Sequence, residues 1–381
     1  MDNFINKIHF DFQTNQLILK SISFIDSFRG RWESIEGREN VYLKELKRIA
    51  TIESIGSSTR IEGAQLSNDE IRKLLSNIRI TDSKSRDEQE VVGYFDVLEI
   101  INNNFQTIEI SKNFIQQLHQ MLLKYSTKDD RHRGVYKNLP NQVVAGYPDG
   151  SQKIILNTTE PHLVESEMHS LIEWTNSQLS AKLIHPLIVT GLFIYEFLSI
   201  HPFQDGNGRL ARLLTNLLLL KYGYLFIQYV SFENLIEQKK KLYYEALMDG
   251  QKEGYSEREK IDKWMLFFLQ SMEELIRRLE QKYDLFKSKG GYLNERQKKI
   301  KEYISGNQPV KLSDIVTGMP DTSVNTLKKD LQYMKAEQII ESVGKNKGTI
   351  YILKDELKLK RLQIIRKSTL IYYCWQMSRK T

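Results

Sequence analysis

The chain is poor in the residues that punctuate or cross-link a fold. Of 381 residues, one is cysteine, 7 are proline and 20 are glycine. The lone thiol, Cys374, forms no intramolecular disulfide and builds no cysteine-rich zinc site, so a reducing, cytoplasmic setting is expected. So little proline and glycine excludes collagen-like and low-complexity chains, and 40% apolar residues exclude a wholly disordered one. No apolar run reaches membrane-spanning length: the longest, residues 187–200, has 14 residues and contains Glu196. No basic stretch followed by an apolar one opens the chain, so neither a secretory signal nor a membrane anchor is expected. What is there is ample apolar material for two or three domains.

The net charge is +7 and unevenly placed. Residues 291–381 hold 18 Lys and Arg against 9 Asp and Glu, whereas the first 290 residues hold 37 against 39. The basic excess sits in the last quarter. It suits an acidic partner such as nucleic acid, or equally a solvated basic face.

Helical spacing dominates the first half. Val41, Leu43, Leu46, Ile49, Ile52 and Ile55 share one face, and Asp69 or Ser67 is placed to cap the next helix. Helices are also expected near 88–102, 112–124, 160–177, 185–200, 210–222, 235–249 and 257–283. Residues 142–145 and 153–156 are β-rich runs around the turn cluster Gly146-Tyr147-Pro148-Asp149-Gly150, which predicts a hairpin inside a helical protein. Beyond a linker at 287–291, three short helices and a second hairpin follow the layout of a winged helix. The expected division is a helical N-terminal region at 1–80, a core at 81–285, a compact module at 291–353 and a basic tail at 354–381.

One run concentrates chemistry: His201-Pro202-Phe203-Gln204-Asp205-Gly206-Asn207-Gly208-Arg209-Leu210-Ala211-Arg212. Gly206-Asn207-Gly208 can turn tightly and expose backbone N–H groups before a helix, whose free donors and positive dipole end attract phosphate. Arg209 and Arg212 lie three apart on one helix face, and guanidinium groups grip phosphate oxygens bidentately. Asp205 beside a polyphosphate is a natural Mg²⁺ ligand. His201 can act as a base near neutral pH. Singly, each feature has a bland structural reading; together within twelve residues they are specific.

This run resembles the signature of Fic-domain proteins, H-x-F-x-[DE]-G-N-G-R-x-x-R, at every specified position. The similarity extends over about 66–269 and includes Arg133-Gly134-x-Tyr136 and the hairpin, which is called the flap in that family. The resemblance implies a mainly α fold, with a helical core and a β-hairpin flap. It implies transfer of AMP from ATP to a protein hydroxyl, releasing pyrophosphate. His201 would deprotonate the target Ser, Thr or Tyr. Asp205 would hold Mg²⁺. Gly206, Asn207 and Gly208, at the start of a helix continuing through Leu210 and Ala211, would cradle the phosphates, the Asn207 side chain included. Arg209 would grip the β-phosphate, Arg212 the γ-phosphate, and Phe203 would anchor the loop. A target protein would dock on the hairpin at 140–158 by main-chain pairing. Tyr243 and Tyr244 are placed to stack near the base. Relatives altered at the positions of Gly206 and Arg209 act as kinases or transfer phosphocholine; both residues are intact here, which favours AMP, with UMP and GMP left open.

Ser58-Thr59-Arg60-Ile61-Glu62-Gly63 also resembles the family's inhibitory motif, [ST]-x-x-x-E-[GN]. Ser58, Glu62 and Gly63 would then form a brake, with Glu62 paired to Arg212 in place of the γ-phosphate. Glu62 could also orient a water for AMP removal. The module at 291–353 offers Thr322, Ser323, Asn325, Lys328 and Lys329, with Lys345 and Lys347 at a hairpin tip, for DNA. A DNA-binding regulator with a vestigial core is therefore the alternative function. A homo-oligomer is compatible with the family. A histidine-based metallohydrolase finds no tight ligand spacing.

Overall fold

The computed structural model describes all residues except 1, 37–40, 77–84, 127, 147–151, 255, 257, 289–292, 294, 337–338, 345–347 and 355–381. Cys374, Lys345, Lys347, the first hairpin's turn and the basic tail past 354 thus lie outside the described residues. The chain divides into two compact units, Met1–Glu280 and Gln281–Thr381. The helices before residue 80 belong to the first of them.

The first unit contains α1 (Asp2–Lys7), α2 (Phe12–Glu36), α3 (Val41–Ile61), α4 (Asn68–Ser76), α5 (Arg86–Asn104) and α6 (Lys112–Leu122). The hairpin β1 (Gln142–Gly146) and β2 (Gln152–Asn157) follows. Then come α7 (Val164–Ala181), α8 (Pro186–Ile200), α9 (Asn207–Lys221), α10 (Phe232–Gln238), α11 (Lys240–Gly250) and α12 (Asp262–Ser288). The helix expected over 235–249 is two helices, broken at Lys239, whose φ of −110° and ψ of 27° interrupt the ladder. Ser67 caps α4: its hydroxyl accepts from Glu70 N–H while its own N–H donates to the Glu70 carboxylate.

The centre of this unit is the pair α8 and α9. A helix that is apolar all round must be buried on all sides, and nearly every residue from Leu187 to Ile200 is. Proline opens α8 at its first position, where the missing N–H is no loss. Helices α3, α5, α6 and α7 pack around the pair. Trp264 on α12 donates its indole N–H to the Gly191 carbonyl at 2.7 Å, fixing α12 against α8. Helix α2 lays Ile18, Ile22, Ile25, Phe28 and Trp32 inward at steps of three and four.

The strands β1 and β2 pair antiparallel with an irregularity between Val143 and Val144. Among the described residues they have no third strand.

The second unit holds α13 (Glu295–Asn307), β3 (Val310–Lys311), α14 (Leu312–Gly318), α15 (Val324–Ala336), β4 (Ile340–Val343) and β5 (Ile350–Leu353). Its antiparallel sheet has the order β3-β5-β4. Ile300, Ile304, Ile315, Leu327, Leu331 and Met334 form its core with residues of the sheet. Strand β3 was not expected from sequence.

Candidate active site

The signature run is the turn between α8 and α9. Helix α8 ends at His201, whose φ of 52° is left-handed and whose N–H still closes on the Phe197 carbonyl. Gly206, with φ 81°, starts α9; a side chain there would be strained. Asn207 staples the turn: its Oδ1 accepts from Phe203 N–H at 2.9 Å and its Nδ2 donates to the Phe203 carbonyl at 2.7 Å. Both ends of its carboxamide are thus engaged within the turn. Phe203 is fully buried, as an anchor must be.

Beneath Phe203 lies His119, which the sequence did not mark as part of the site. The two rings stack at 3.8 Å with an interplanar angle of 9°. His119 Nδ1 accepts from Gly134 N–H at 2.9 Å, so Nε2 carries the proton and donates to the Asp205 carbonyl at 2.9 Å. Burial pushes its pKa down to about 4. It is a neutral strut between α6, the approach to the hairpin and the catalytic loop.

His201 has the complementary tautomer. Its Nδ1 lies 3.2 Å from the Leu198 carbonyl, an acceptor, and so carries the proton. Nε2 keeps a free lone pair, the form that takes a proton from a hydroxyl. Burial pushes this pKa to about 4 as well, with nearby Lys137 acting in the same direction. The imidazole is neutral at physiological pH.

Asp205 Oδ1 accepts from Gly206 N–H at 2.6 Å and lies 3.4 Å from Arg209 Nη2. Burial works against the carboxylate, but Arg209 and the Gly206 N–H outweigh it and hold the pKa below the usual range. Arg209 is 2% exposed, with Nη1 at 3.3 Å from Glu90 Oε2. Glu90 also receives Arg86 at 2.9 Å. Nη1 is ion-paired with Glu90, whereas Nε of Arg209 has no hydrogen-bond partner. A buried guanidinium donor left unpaired is costly, and an anion in the cleft would satisfy it.

Arg212 is 3% exposed. Its Nε donates to Ser58 Oγ at 2.8 Å, and its Nη2 to the Ser58 carbonyl at 3.0 Å and to Glu62 Oε1 at 2.8 Å. Burial disfavours the Glu62 carboxylate, yet Arg212 and Arg209 hold its pKa below the ordinary value. Gly208 permits this approach: a Cβ there would stand 2.5 Å from Glu62 Oε1. A carboxylate therefore lies over the first turn of α9, where backbone N–H groups are free. Gly63, with φ 108°, turns the chain out of α3 directly after Glu62.

Tyr243 is in the core, edge-on to Trp264 and Phe267. Both it and its half-buried neighbour Tyr244 lie within electrostatic reach of Arg212 and Glu62. Among the described residues no three His, Cys, Asp or Glu gather as a metal cluster, and no helix is long and apolar enough to cross a membrane.

A helical core, a hairpin and a tight turn before a buried helix frame the site. Residues 109–219 match the model of the Fic/DOC family. The chain is similar to "Protein adenylyltransferase Fic" of Drosophila melanogaster, 32% identical over 209 residues, 54% of this chain and 39% of that one. The Drosophila grimshawi protein of the same name is 33% identical over 187 residues, 49% of this chain and 36% of that one. The chain thus spans well under half the length of these relatives. Among solved structures, a Fic family protein from Desulfovibrio desulfuricans aligns at TM-score 0.59 and 19% identity, over 88% of this chain and 95% of that one. Fic-1 of C. elegans aligns at TM-score 0.54 and 21% identity, over 71% and 73%. These two likenesses concern the fold.

Proposed function

We propose that the protein is an adenylyltransferase that moves AMP from ATP to a Ser, Thr or Tyr hydroxyl of a target protein and of itself. The observation that carries this reading is the Glu62 carboxylate lying over Gly208 and held by Arg212: an anion already occupies the turn built for one. The triphosphate would rest on the N–H groups of residues 206–208, with Arg209 and Arg212 on its terminal phosphates. The unpaired Nε of Arg209 and the acceptor lone pairs of Asp205 fit a Mg²⁺–nucleotide. Asp205 would hold Mg²⁺, which supplies charge neutralisation at the phosphates. His201 Nε2 takes the hydroxyl proton, the oxygen attacks the α-phosphorus, and the bond to the bridging oxygen of pyrophosphate breaks. Positioning and charge stabilisation supply most of the rate.

The resting state is a self-inhibited one. With Glu62 on Arg212, the γ-phosphate loses a cation and meets a like charge. Ser58 orients Arg212 for that pairing, and Gly63 turns the chain directly after Glu62. Released from Arg212, Glu62 could orient a water for the reverse reaction. The target segment would pair with the hairpin at 140–158, and the reaction, which consumes ATP, would run in the cytoplasm.

The module at 291–353 is read as a winged helix that binds DNA. Lys311, Lys328 and Lys335 line one groove of this unit with Ser313, Gln332 and Thr349, and no carboxylate lines it. Retardation of duplex DNA that weakens steeply with salt is expected.

The test incubates wild type, Glu62→Gly and His201→Ala with Mg²⁺ and ATP radiolabelled at the α-phosphorus. Label on Glu62→Gly, little on wild type and none on His201→Ala is the expected pattern. No label on any form would leave either a different nucleotide, tested with UTP and GTP, or an inactive core and the DNA-binding reading.

A further inference from the structure

Lys137 is a cation in an unusual place. It follows Gly134-Val135-Tyr136 on the approach to the hairpin and is only 4% exposed. A buried ammonium is costly unless its protons are taken up. Here three oxygens receive them: Asn141 Oδ1 at 2.7 Å, Thr158 Oγ1 at 2.8 Å and the Ile200 carbonyl at 3.2 Å. These partners are an amide, a hydroxyl and a peptide carbonyl, none of them charged. They come from three segments. Asn141 leads into β1, Thr158 follows β2, and Ile200 is the last residue of α8, directly before His201. Three further bonds run along the same seam. Lys137 N–H donates to the Pro202 carbonyl at 2.8 Å, Asn141 Nδ2 to the Phe203 carbonyl at 2.8 Å, and Thr158 Oγ1 to the Asn141 carbonyl at 2.8 Å.

We infer that Lys137 is a positioning residue for His201: one ammonium fastens both feet of the hairpin to the end of α8, so that the strand a target segment would pair with and the imidazole that would take its proton are held as one piece. The inference rests on the adenylyl-transfer reading for its consequence, but not for its geometry.

Two physical effects support the assignment. A helix C-terminus carries unpaired carbonyls and partial negative charge, which a lysine there satisfies. His201 is held in a left-handed conformation that a residue with a Cβ adopts only where its surroundings impose it. The bonds to Ile200, Pro202 and Phe203 are what impose it on either side. Charge is the second effect. Lys137 disfavours the imidazolium, whereas Glu62 on α3, Asp205 on the catalytic loop and the Leu198 carbonyl favour it. Around Lys137 itself, burial pushes the pKa to about 8 against Glu160 and Glu167. The ammonium is thus present at neutral pH and fades above about pH 8.

The test uses the full chain carrying Glu62→Gly, compared with the same chain carrying Lys137→Met or Lys137→Arg. The His201 imidazole is followed by ¹⁵N NMR titration, its signal identified by loss in His201→Ala, and adenylyl transfer is measured alongside. In Lys137→Met the imidazole is expected to titrate higher by about half a unit or more. Transfer is expected to fall about tenfold or more with the KM for ATP little changed. Lys137→Arg should restore both. A folded Lys137→Met with the parental titration and rate overturns the inference. If Lys137→Met does not fold, Lys137→Gln, which keeps a donor without the charge, is judged by the same two readouts. The titration needs no reaction: a parent that transfers no AMP refutes the proposed activity, and the imidazole still decides the role of Lys137.

Discussion

Glu62 Oε1 accepts a hydrogen bond from Arg212 Nη2 at 2.8 Å while standing over Gly208 at the start of α9. One carboxylate thus lies over the start of α9 and neutralises the Arg212 cation, the contact the proposed function reads as a brake. Removing the charge alone should release the site. Glu62→Gln, nearly isosteric, is expected to raise self-labelling about tenfold or more over wild type, and Ser58→Ala to raise it less. Ser58 only orients Arg212, whereas Glu62 supplies the opposing charge. Label incorporation per minute under saturating ATP checks the order.

Arg60 should set how firmly the brake holds. Its Nε and Nη2 donate to Glu237 at 2.7 and 3.0 Å, and Lys240 Nζ donates to the Ile61 carbonyl at 2.9 Å. Together they clamp the end of α3 to α10 and α11. Arg60→Ala is expected to raise self-labelling several-fold in the otherwise native chain and to add nothing to Glu62→Gly. Comparing the two backgrounds measures this, since general damage would lower both.

Stability should fall in mild acid. His119 has a folded pKa of about 4 against an ordinary 6.5, so the unfolded chain binds a proton that the folded one resists. The contribution is fully present above about pH 6.5 and shrinks as pH falls toward 4. Between pH 8 and pH 5 the loss is about 1–2 kcal/mol for this residue. Urea denaturation at both pH values checks it, and His119→Phe, which keeps the stack on Phe203, should flatten the dependence.

Lys7 ties α1 to the centre of the fold. Its ammonium lies 2.7 Å from Glu196 and 3.1 Å from Glu259, all three nearly buried, and Tyr195 donates to Glu259 at 2.7 Å. Burial, with Lys7 opposing it, already pushes the Glu196 pKa up to about 7. Removing this cation leaves two carboxylates buried together. Lys7→Met should destabilise the chain by about 3 kcal/mol or more, read from urea unfolding at pH 8; at pH 6, where Glu196 protonates readily, the loss should be smaller.

The signature loop was legible because its chemistry is local: twelve consecutive residues hold a base, an acid, an anion turn and two cations. Glu62 was legible as part of a motif, but its contact with Arg212, 150 residues away, is seen only in the structure. Helix α8 was plain from an unbroken apolar run. The break at Lys239 was not, because the apolar spacing of Leu235, Leu242 and Ala246 continues across it. His119, Glu90 and Lys137 escaped notice for one reason. Their roles depend on partners far along the chain: Asp205, Arg209 and Ile200. No pattern at short spacing marks a buried lysine whose acceptors are an amide, a hydroxyl and a helix-end carbonyl.

The central claim is that the site transfers an adenylyl group and that Glu62 restrains it. Intact-mass spectrometry of Glu62→Gly after incubation with Mg²⁺ and ATP tests both at once. The account predicts a product heavier by one or more AMP units, absent when His201 is also changed to Ala and scarce in wild type. A product heavier by phosphate alone, or an AMP adduct that persists without His201, would contradict it.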